Sequence, residues 1–478
     1  MNRKIIIAII FIFGILSSCT KNFEDMNIDP KHPLEVNGSV LFTNAQVEIA
    51  DQISSTNVNR NIWKLMAQYW TERSYTDEAN WNIVNRRISD NMFRTYMAVM
   101  KDLEDAKSII SKEDAFYDNE KANKKNRIAI IDLTEVFVWQ RLVDMFGDIP
   151  YTEALDIENY TPKYDDAATI YQDLITRATA DVADIDVTEG SFGSADLIYG
   201  GNTDNWLKFG YSLLVKLGIG IADGPLAALG QSTVESAYDK VFTSADDNAF
   251  FPYQASLPYV NPLYTDLVAS GRHDFIIANT LFDAMDSIND PRIDLYFSDT
   301  DNPPLDYGYS GGSYSSGMHY NPVIAAPDYH GFFMTYDEVL FYLAEAAARN
   351  WTVGNTADNY FNEAVTASIL AWGGSTDDAT TLLTAHPYSS YTGGWKDAIG
   401  TQAWISMYTR GFIGYTFFRR LDYPAFNMPP SPPEGVTVIP TRFTYPINEQ
   451  TLNAANYQAA ATAIGGDKLT THLFWDIN

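Results

Sequence analysis

Cysteine is almost absent from this chain, because its 478 residues include only Cys19. A single thiol forms neither an internal disulfide nor a thiolate metal site. Hydrophobic residues make up 46% of the chain, which is enough to bury a large core. The folded protein is therefore expected to be stabilised by packing.

Basic residues are also scarce. The sequence has 32 Lys and Arg residues against 61 Asp and Glu residues, and its formal net charge is -29. A surface with this charge repels phosphate backbones, so nucleic acid is not expected as a partner.

Catalytic signatures are missing as well. The six histidines show no His-Glu-x-x-His spacing, and neither a Gly-x-Ser-x-Gly elbow nor a phosphate-binding Gly-Lys-Ser/Thr loop occurs. Acidic residues are so numerous that some carboxylate pair always looks suitable for glycoside hydrolysis in sequence alone. The sequence therefore predicts no enzyme, and a surface hydrolase is the least favoured alternative.

The sequence offers no cofactor motif. Asp181, Asp184 and Asp186 lie close together, but the glycine and the terminal glutamate of a helix-loop-helix calcium site are missing. We therefore expect a solvated acidic turn there and no cofactor, while a structural calcium ion elsewhere stays open.

The N-terminus carries the pattern of a bacterial lipoprotein signal. Arg3 and Lys4 precede an apolar stretch over residues 5–16, and Ser17 and Ser18 precede Cys19. The stretch is shorter than the ~20 residues of a membrane span. We predict a signal peptide over 1–18, lipidation at Cys19 and a polar tether over 19–35. An ordinary signal with an incidental cysteine is the alternative.

Behind the tether the apolar spacing is helical. The predicted helices lie at 89–110, at 128–146 with a stop at Gly147, from near Asp165 onward, after a capping box at 335–338, and from near Thr356 to residues 372–374. Ala357 and Phe361 have the spacing of the second helix of a tetratricopeptide unit. These pairs predict a mainly α, tetratricopeptide-type scaffold with a loop-rich, irregular cap.

Turn-forming residues mark the cap. We assign one domain to 36–478, with the scaffold mainly at 36–245 and 332–375 and the cap mainly at 246–331 and 376–446. Long ordered loops in a compact protein usually carry function, so the binding site is expected in such loops.

Aromatic rings occur beside polar side chains in loop 74–87, in segment 307–320 and near Trp395. The candidate ligand-binding residues are Tyr75, Trp81 and Arg86 in loop 74–87, Tyr314 and Tyr320 in segment 307–320, and Trp395. Flat rings offer apolar and π surface to a sugar or to a peptide side chain. Packing between helices is the alternative for Trp81, and disorder is the alternative for segment 307–320.

Several short motifs occur in an order that resembles the SusD/RagB family, and its SusD-like branch in particular. They are Asn22-Phe23-Glu24 with Asn27 and Pro30, Gly147 to Tyr151 with Glu153 to Leu155, Tyr336 to Leu340 with Ala344 to Ala346, Arg410-Gly411 with Arg419-Arg420 and Tyr423-Pro424, Thr441 to Pro446, and Trp475-Asp476. The resemblance spans nearly the whole chain.

The resemblance implies a nutrient-binding lipoprotein on the outer face of the outer membrane. Such a protein acts as lid and receptor for a SusC-like TonB-dependent transporter, and its ligand would be a glycan or oligosaccharide. A RagB-like oligopeptide receptor and a structural adaptor that binds no nutrient are the alternatives. In starch-binding relatives an inter-helix loop comparable to 74–87 contributes to the sugar site.

Overall fold

The computed structural model describes residues 36–477 of the protein. The predicted signal peptide, tether and lipidation at Cys19 lie outside these residues. The α-helices are α1 (Gly38–Ser54), α2 (Trp63–Met66), α3 (Ile88–Ser111), α4 (Asp118–Phe146), α5 (Ala167–Asp184), α6 (Thr203–Gly220), α7 (Ala227–Ala237), α8 (Pro262–Tyr264), α9 (Asn279–Asp286), α10 (Ile293–Tyr296), α11 (Tyr336–Ala348), α12 (Ala357–Ala371), α13 (Thr376–Ala385), α14 (Gly394–Ser406), α15 (Gly411–Leu421), α16 (Glu449–Leu452) and α17 (Ala454–Ala463). A π-helical segment, Thr265–Ala269, follows α8.

The ends of the long helices follow local capping chemistry. The side chains of Asp166, Asn202 and Thr356 accept hydrogen bonds from backbone N–H groups in the first turns of α5, α6 and α12. These bonds satisfy donors that have no partner inside a helix. Gly147 ends α4 with a φ of 81°, a conformation that favours glycine. The predicted boundaries at Thr356 and Gly147 are therefore confirmed.

Consecutive helices pack on each other along the scaffold. Helix α3 packs on α1 and α4, α4 on α5, α5 on α6, and α6 on α7 and α11. Helix α11 also packs on α12 and α14, and α14 packs on α15. This succession of packed helix pairs confirms the mainly α scaffold of tetratricopeptide type.

The first part of the cap, residues 246–331, contains only short helices and strands. The strands of the described residues form three two-stranded antiparallel pairs, β1 (Trp70–Glu72) with β3 (Phe275–Ile277), β2 (Ala249–Phe251) with β6 (Gly331–Met334), and β4 (Phe297–Ser298) with β5 (His319–Tyr320). Each pair joins segments distant in sequence, so the strands fix long loops to one another.

The structure corrects two predictions about the second half of the chain. Residues 376–421, predicted as mainly loop, carry α13, α14 and α15, and within the cap range after 375 the long stretch without helix or strand is 422–446. The predicted capping box before α11 does not form, because Thr335 makes no side-chain bond to the backbone of α11. Its hydroxyl contacts Asp337 and Arg410 instead. The extent of the single domain over 36–478 stays a prediction.

The acidic turn near Asp181 also differs from the expectation. Asp181 is buried on α5, and burial together with the nearby Asp132 raises the pKa of its carboxyl to about 9. Asp184 pairs with Lys125 at 2.6 Å, and Asp186 is exposed. The prediction of a solvated turn is therefore wrong for Asp181, whose place on the inner face of α5 decides its burial.

Three buried charged side chains and the nearly buried Arg410 lie where α6, α11 and the start of α15 meet. Lys216 Nζ lies 3.0 Å from Glu338, Arg410 lies 3.0 Å from Glu338, and Arg410 lies 3.1 Å from Asp337. We call these four residues the central charge cluster. Burial lowers the pKa of Lys216, and the nearby Glu338 opposes that shift. Because two cations meet two carboxylates, the cluster carries no net charge.

Lys216→Ala should destabilise the protein by roughly 3–5 kcal/mol, because removing one partner of a buried ion pair leaves an uncompensated charge. Urea unfolding followed by circular dichroism measures this loss. Lys121→Ala removes an exposed ion pair with Asp118 on α4, and it should cost less than about 1 kcal/mol. Equal losses in the two variants would contradict the central role of the buried cluster.

Candidate functional site

Three segments that are far apart in sequence meet at Asn80. Its side-chain amide donates to the carbonyl of Gly308 at 2.8 Å, and its side-chain oxygen accepts from the N–H of Ser431 at 2.8 Å. Gly308 lies tightly against Pro429 and has a φ of 77°, so a side chain would not fit there. The structure thus brings together loop 74–87, segment 307–320 and the stretch after α15.

Residues 73, 274 and 311–312 run side by side at the outer edge of this junction. The N–H of Arg73 donates to the carbonyl of Asp274 at 2.9 Å, and the N–H of Gly311 donates to the carbonyl of Arg73 at 3.1 Å. The Arg73 guanidinium donates to the carbonyl of Gly312, also at 3.1 Å. These bonds extend the β1–β3 pairing toward the surface. They join the start of loop 74–87 to segment 307–320 and to residue 274, and we call these joined residues the base of the loops.

Exposed and stacked rings surround this base. Tyr75 has 76% of its surface exposed and Tyr309 has 52%. The half-buried Tyr314 ring lies between His273 and His319, with centroid distances of 4.6 and 4.0 Å. We call Arg73, Tyr75, His273, Tyr309 and Tyr314 the aromatic loop surface.

Loop 74–87 has an unusual backbone. Tyr75, Trp81 and Arg87 have φ values of 57°, 64° and 54°, which non-glycine residues rarely adopt. Each such residue costs of order 1–3 kcal/mol and persists only where the surrounding contacts impose it. The loop is therefore held in one defined shape, as binding loops often are.

Trp81 supplies one of those contacts from inside the protein. It is only 1% exposed, and its indole N–H donates to the Tyr307 hydroxyl at 3.2 Å. That hydroxyl donates to the carbonyl of Leu65 at 2.9 Å. The prediction that Trp81 offers a stacking surface is thus corrected, since a buried ring anchors the loop and the packing alternative describes it.

Arg86 compensates buried charge beneath the same loop. It forms an ion pair with Glu78, whose side chain is fully buried. Burial, and then the Glu78 carboxylate, raise the pKa of Glu72 to about 9. The Arg86 side chain is about one-third exposed, and its charge is paired with that of Glu78. The contact of Arg86 with a ligand stays a prediction.

Tyr320 connects the loops to the core. Its ring packs against the buried Trp70 at a centroid distance of 5.5 Å, and burial raises the pKa of its hydroxyl. Tyr314 lies in the same segment as Tyr320 and is also partly buried. The structure therefore places both predicted tyrosines in one segment next to loop 74–87, while their contact with a ligand stays a prediction.

A sequence model of the SusD-like_2 family, described as "Starch-binding associating with outer membrane", matches residues 30–446. The chain belongs to the SusD-like family. A search of curated proteins found no match.

Solved structures share the fold of this SusD-like protein. A chitin-binding protein is 24% identical, with 92% of this chain and 100% of that chain covered and a TM-score of 0.80. A chitin-binding SusD homologue from Flavobacterium johnsoniae is 22% identical, with 92% and 98% covered and a TM-score of 0.73. A SusD homologue from Bacteroides uniformis is also 22% identical, with 92% and 99% covered and a TM-score of 0.75. At these identities the likeness shows the fold alone.

Trp395 has other neighbours in this SusD-like protein. It lies in the first turn of α14, and the guanidinium of Arg349, the residue that follows α11, lies 5.2 Å from its ring centroid. Arg349 in turn pairs with Asp223 and Glu345. These contacts place Trp395 within the helical scaffold and give it no part in the aromatic loop surface.

Arg73 and His273 belong to this surface but were not predicted. Arg73 stands one residue before the predicted loop, and His273 follows a turn-rich stretch without any motif around it. Only the β1–β3 pairing places them beside segment 307–320.

The described part of this SusD-like chain offers no group of three or more His, Cys, Asp or Glu side chains able to hold a metal ion. From residue 36 to residue 477, no helix is both long and apolar enough to cross a membrane.

The Glu72 carboxyl should make the stability of this SusD-like protein depend on pH. Its pKa rises from 4.5 to about 9 on folding, so the folded state keeps a proton that the unfolded state releases. Its stabilising contribution is therefore complete below about pH 4.5 and is lost as the pH rises toward 9. Glu72→Gln should gain stability relative to the wild type over that range, by on the order of 1 kcal/mol per pH unit at most.

Urea unfolding of both proteins at pH 5, 7 and 9 measures this difference. Because other buried carboxyls titrate in both proteins, only the difference between the two curves reports on Glu72. Glu104→Gln removes a half-exposed carboxylate on α3 and controls for the loss of one charge. Parallel profiles of wild type and Glu72→Gln would show that Glu72 is already ionised at pH 5.

Proposed function

We propose that this protein is a carbohydrate-binding lipoprotein of the outer membrane that captures glycans at the aromatic loop surface. The observation that carries the proposal is the exposure of Tyr75 and Tyr309 on loops with a fixed shape. Membership of a family described as starch-binding supports the carbohydrate class.

The surface has the groups that sugar recognition requires. Exposed tyrosine rings stack on the C–H faces of sugars at little entropic cost, because they have few rotatable bonds. Asn82 and Asn85 lie in the same loop, and among the described residues their side-chain amides have no hydrogen-bond partner. These amides are suited to bind sugar hydroxyls beside the rings.

We infer in addition that the protein works with a SusC-like TonB-dependent transporter, as lid and receptor. The family description names association with the outer membrane, and the lipoprotein signal pattern before Cys19 predicts a lipid anchor at that residue. In this arrangement the glycan bound by the loops is passed to the barrel, and the protein itself breaks no bond.

The double variant Tyr75→Ala plus Tyr309→Ala should lower the affinity for starch or chitin oligosaccharides by about tenfold or more, since each lost stacking ring contributes on the order of 1 kcal/mol. Glycan arrays identify the ligand and calorimetry measures the affinity. Tyr160→Ala is the matched control, because Tyr160 is 83% exposed but lies outside the aromatic loop surface.

Three results would contradict this proposal. Equal affinity of the double variant and the wild type would exclude the aromatic loop surface as the glycan site. Binding to a peptide library without binding to glycans would favour the oligopeptide receptor. No ligand on either array would favour the structural adaptor.

A gentle detergent purification of the native lipoprotein should recover a TonB-dependent barrel with it. Cys19→Ser should shift the protein from the membrane fraction to the soluble fraction, because lipid attachment needs the thiol. Mass spectrometry identifies the partner and the acyl group at Cys19. Recovery of the lipoprotein alone, under conditions that preserve a control barrel complex, would contradict the transporter partnership.

A further inference from the structure

A concave site lies between the β2–β6 pair and the turn that joins α14 to α15. Its volume is about 370 Å³, which falls within the ~300–1,000 Å³ typical of small-ligand sites. No residue of the aromatic loop surface lines it. We call it the scaffold cleft.

Aromatic rings form two walls of the scaffold cleft. Trp372, at the end of α12, is half-buried, and its ring packs on Tyr296 and Tyr408 with centroid distances of 4.4 and 5.6 Å. Those two tyrosines are buried and stacked on each other at 4.6 Å. On the second wall Phe332 packs against Tyr329 at 5.8 Å. The Trp372 ring is therefore a rigid platform supported by the core.

The backbone at the floor of the cleft is strained. Thr409 has a φ of 72°, which is an outlier for a β-branched residue, and it stands between Tyr408 and Arg410. Such conformations cluster at binding sites, where the surrounding structure imposes them. The turn is thus fixed beside both the rings and the central charge cluster.

The polar groups of the cleft carry no net charge. Arg410 and Asp337 compensate each other at 3.1 Å, and burial lowers the pKa of His330, which favours its neutral form. The side-chain oxygen of Asn248 accepts from the N–H of Tyr336 at 2.7 Å. Among residues 36–477 the side-chain nitrogen of Asn248 has no hydrogen-bond partner, so its two hydrogens are free to donate.

These properties select the chemical class of the ligand. An anion or a cation would meet charges that are already paired, and a wholly apolar ligand would bury the Asn248 amide without a partner. A ring with apolar faces and neutral hydroxyl groups satisfies both the Trp372 platform and the amide. We propose that the scaffold cleft is a second carbohydrate site, which binds one or two neutral sugar residues.

This inference extends the carbohydrate function proposed above, but it uses different residues and a shorter ligand. The test is calorimetry of the full lipidated protein in detergent with maltose, cellobiose and N,N′-diacetylchitobiose at up to millimolar concentration. The wild type is expected to bind at least one of them saturably.

Asn248→Asp should weaken this binding by tenfold or more. The new carboxylate still accepts from the N–H of Tyr336, so the local fold is kept, but the two donors are lost. Asn359→Asp is the matched control, because it adds the same charge at an exposed position of α12 outside the cleft. Trp372→Ala should also weaken binding, and circular dichroism checks that it folds.

Saturable binding that falls in Asn248→Asp and Trp372→Ala but not in Asn359→Asp supports the second site. Absence of disaccharide binding to the wild type, or equal binding by Asn248→Asp, overturns it. Loss of disaccharide binding in the Tyr75→Ala plus Tyr309→Ala variant alone would assign the ligand to the aromatic loop surface and also overturn it. Binding of longer glycans by the wild type is measured separately. The proposed function can therefore hold even if the scaffold cleft binds no disaccharide.

Discussion

The central charge cluster constrains the rest of this molecule. Taking Lys216, Asp337, Glu338 and Arg410 out of water is costly, and only their mutual pairing compensates for it. The four side chains come from α6, α11 and the residue before α15, so these elements must keep one relative position for the charges to stay paired. Arg410 also fixes the turn that forms the floor of the scaffold cleft. The cluster therefore stabilises the joint between scaffold and cap.

From that turn a buried set of aromatic rings leads to the loops. The hydroxyl of Tyr408 accepts a hydrogen bond from the indole N–H of Trp70 at 3.0 Å, and Trp70 packs on Tyr320. Tyr320 is the last residue of segment 307–320, and Trp81 anchors loop 74–87 from inside the protein. The strained backbone of that loop is thus supported by a rigid core. Both candidate sites depend on the same packed rings, with the scaffold cleft at one end and the aromatic loop surface at the other.

Much of the fold could be predicted, because helix ends depend on local chemistry. The helix start at Thr356, the helix end at Gly147 and the positions of the turn-rich loops could each be predicted from a few neighbouring residues. The capping box predicted at Thr335 does not form, because the Thr335 hydroxyl accepts a hydrogen bond from Arg410, which lies 75 residues further along the chain. The sequence placed tyrosines in loops correctly, but it could not show that Trp81 turns inward or that Asn80 joins Gly308 across 228 residues. Long-range pairing decides those features, and no local pattern reports it.

The use of positive charge argues further for neutral ligands. Between residues 36 and 477, the arginines whose guanidinium group lies close to a carboxylate are Arg60, Arg86, Arg87, Arg127, Arg177, Arg272, Arg292, Arg349, Arg410, Arg420 and Arg442. Much of the scarce basic charge therefore serves internal pairing, while the net charge of -29 leaves an acidic exterior. An acidic glycan would approach against this field and find few uncommitted cations. Exposed tyrosine rings and amides do not depend on charge, so neutral glycans fit the surface best. A basic peptide is the competitor that the same field would attract.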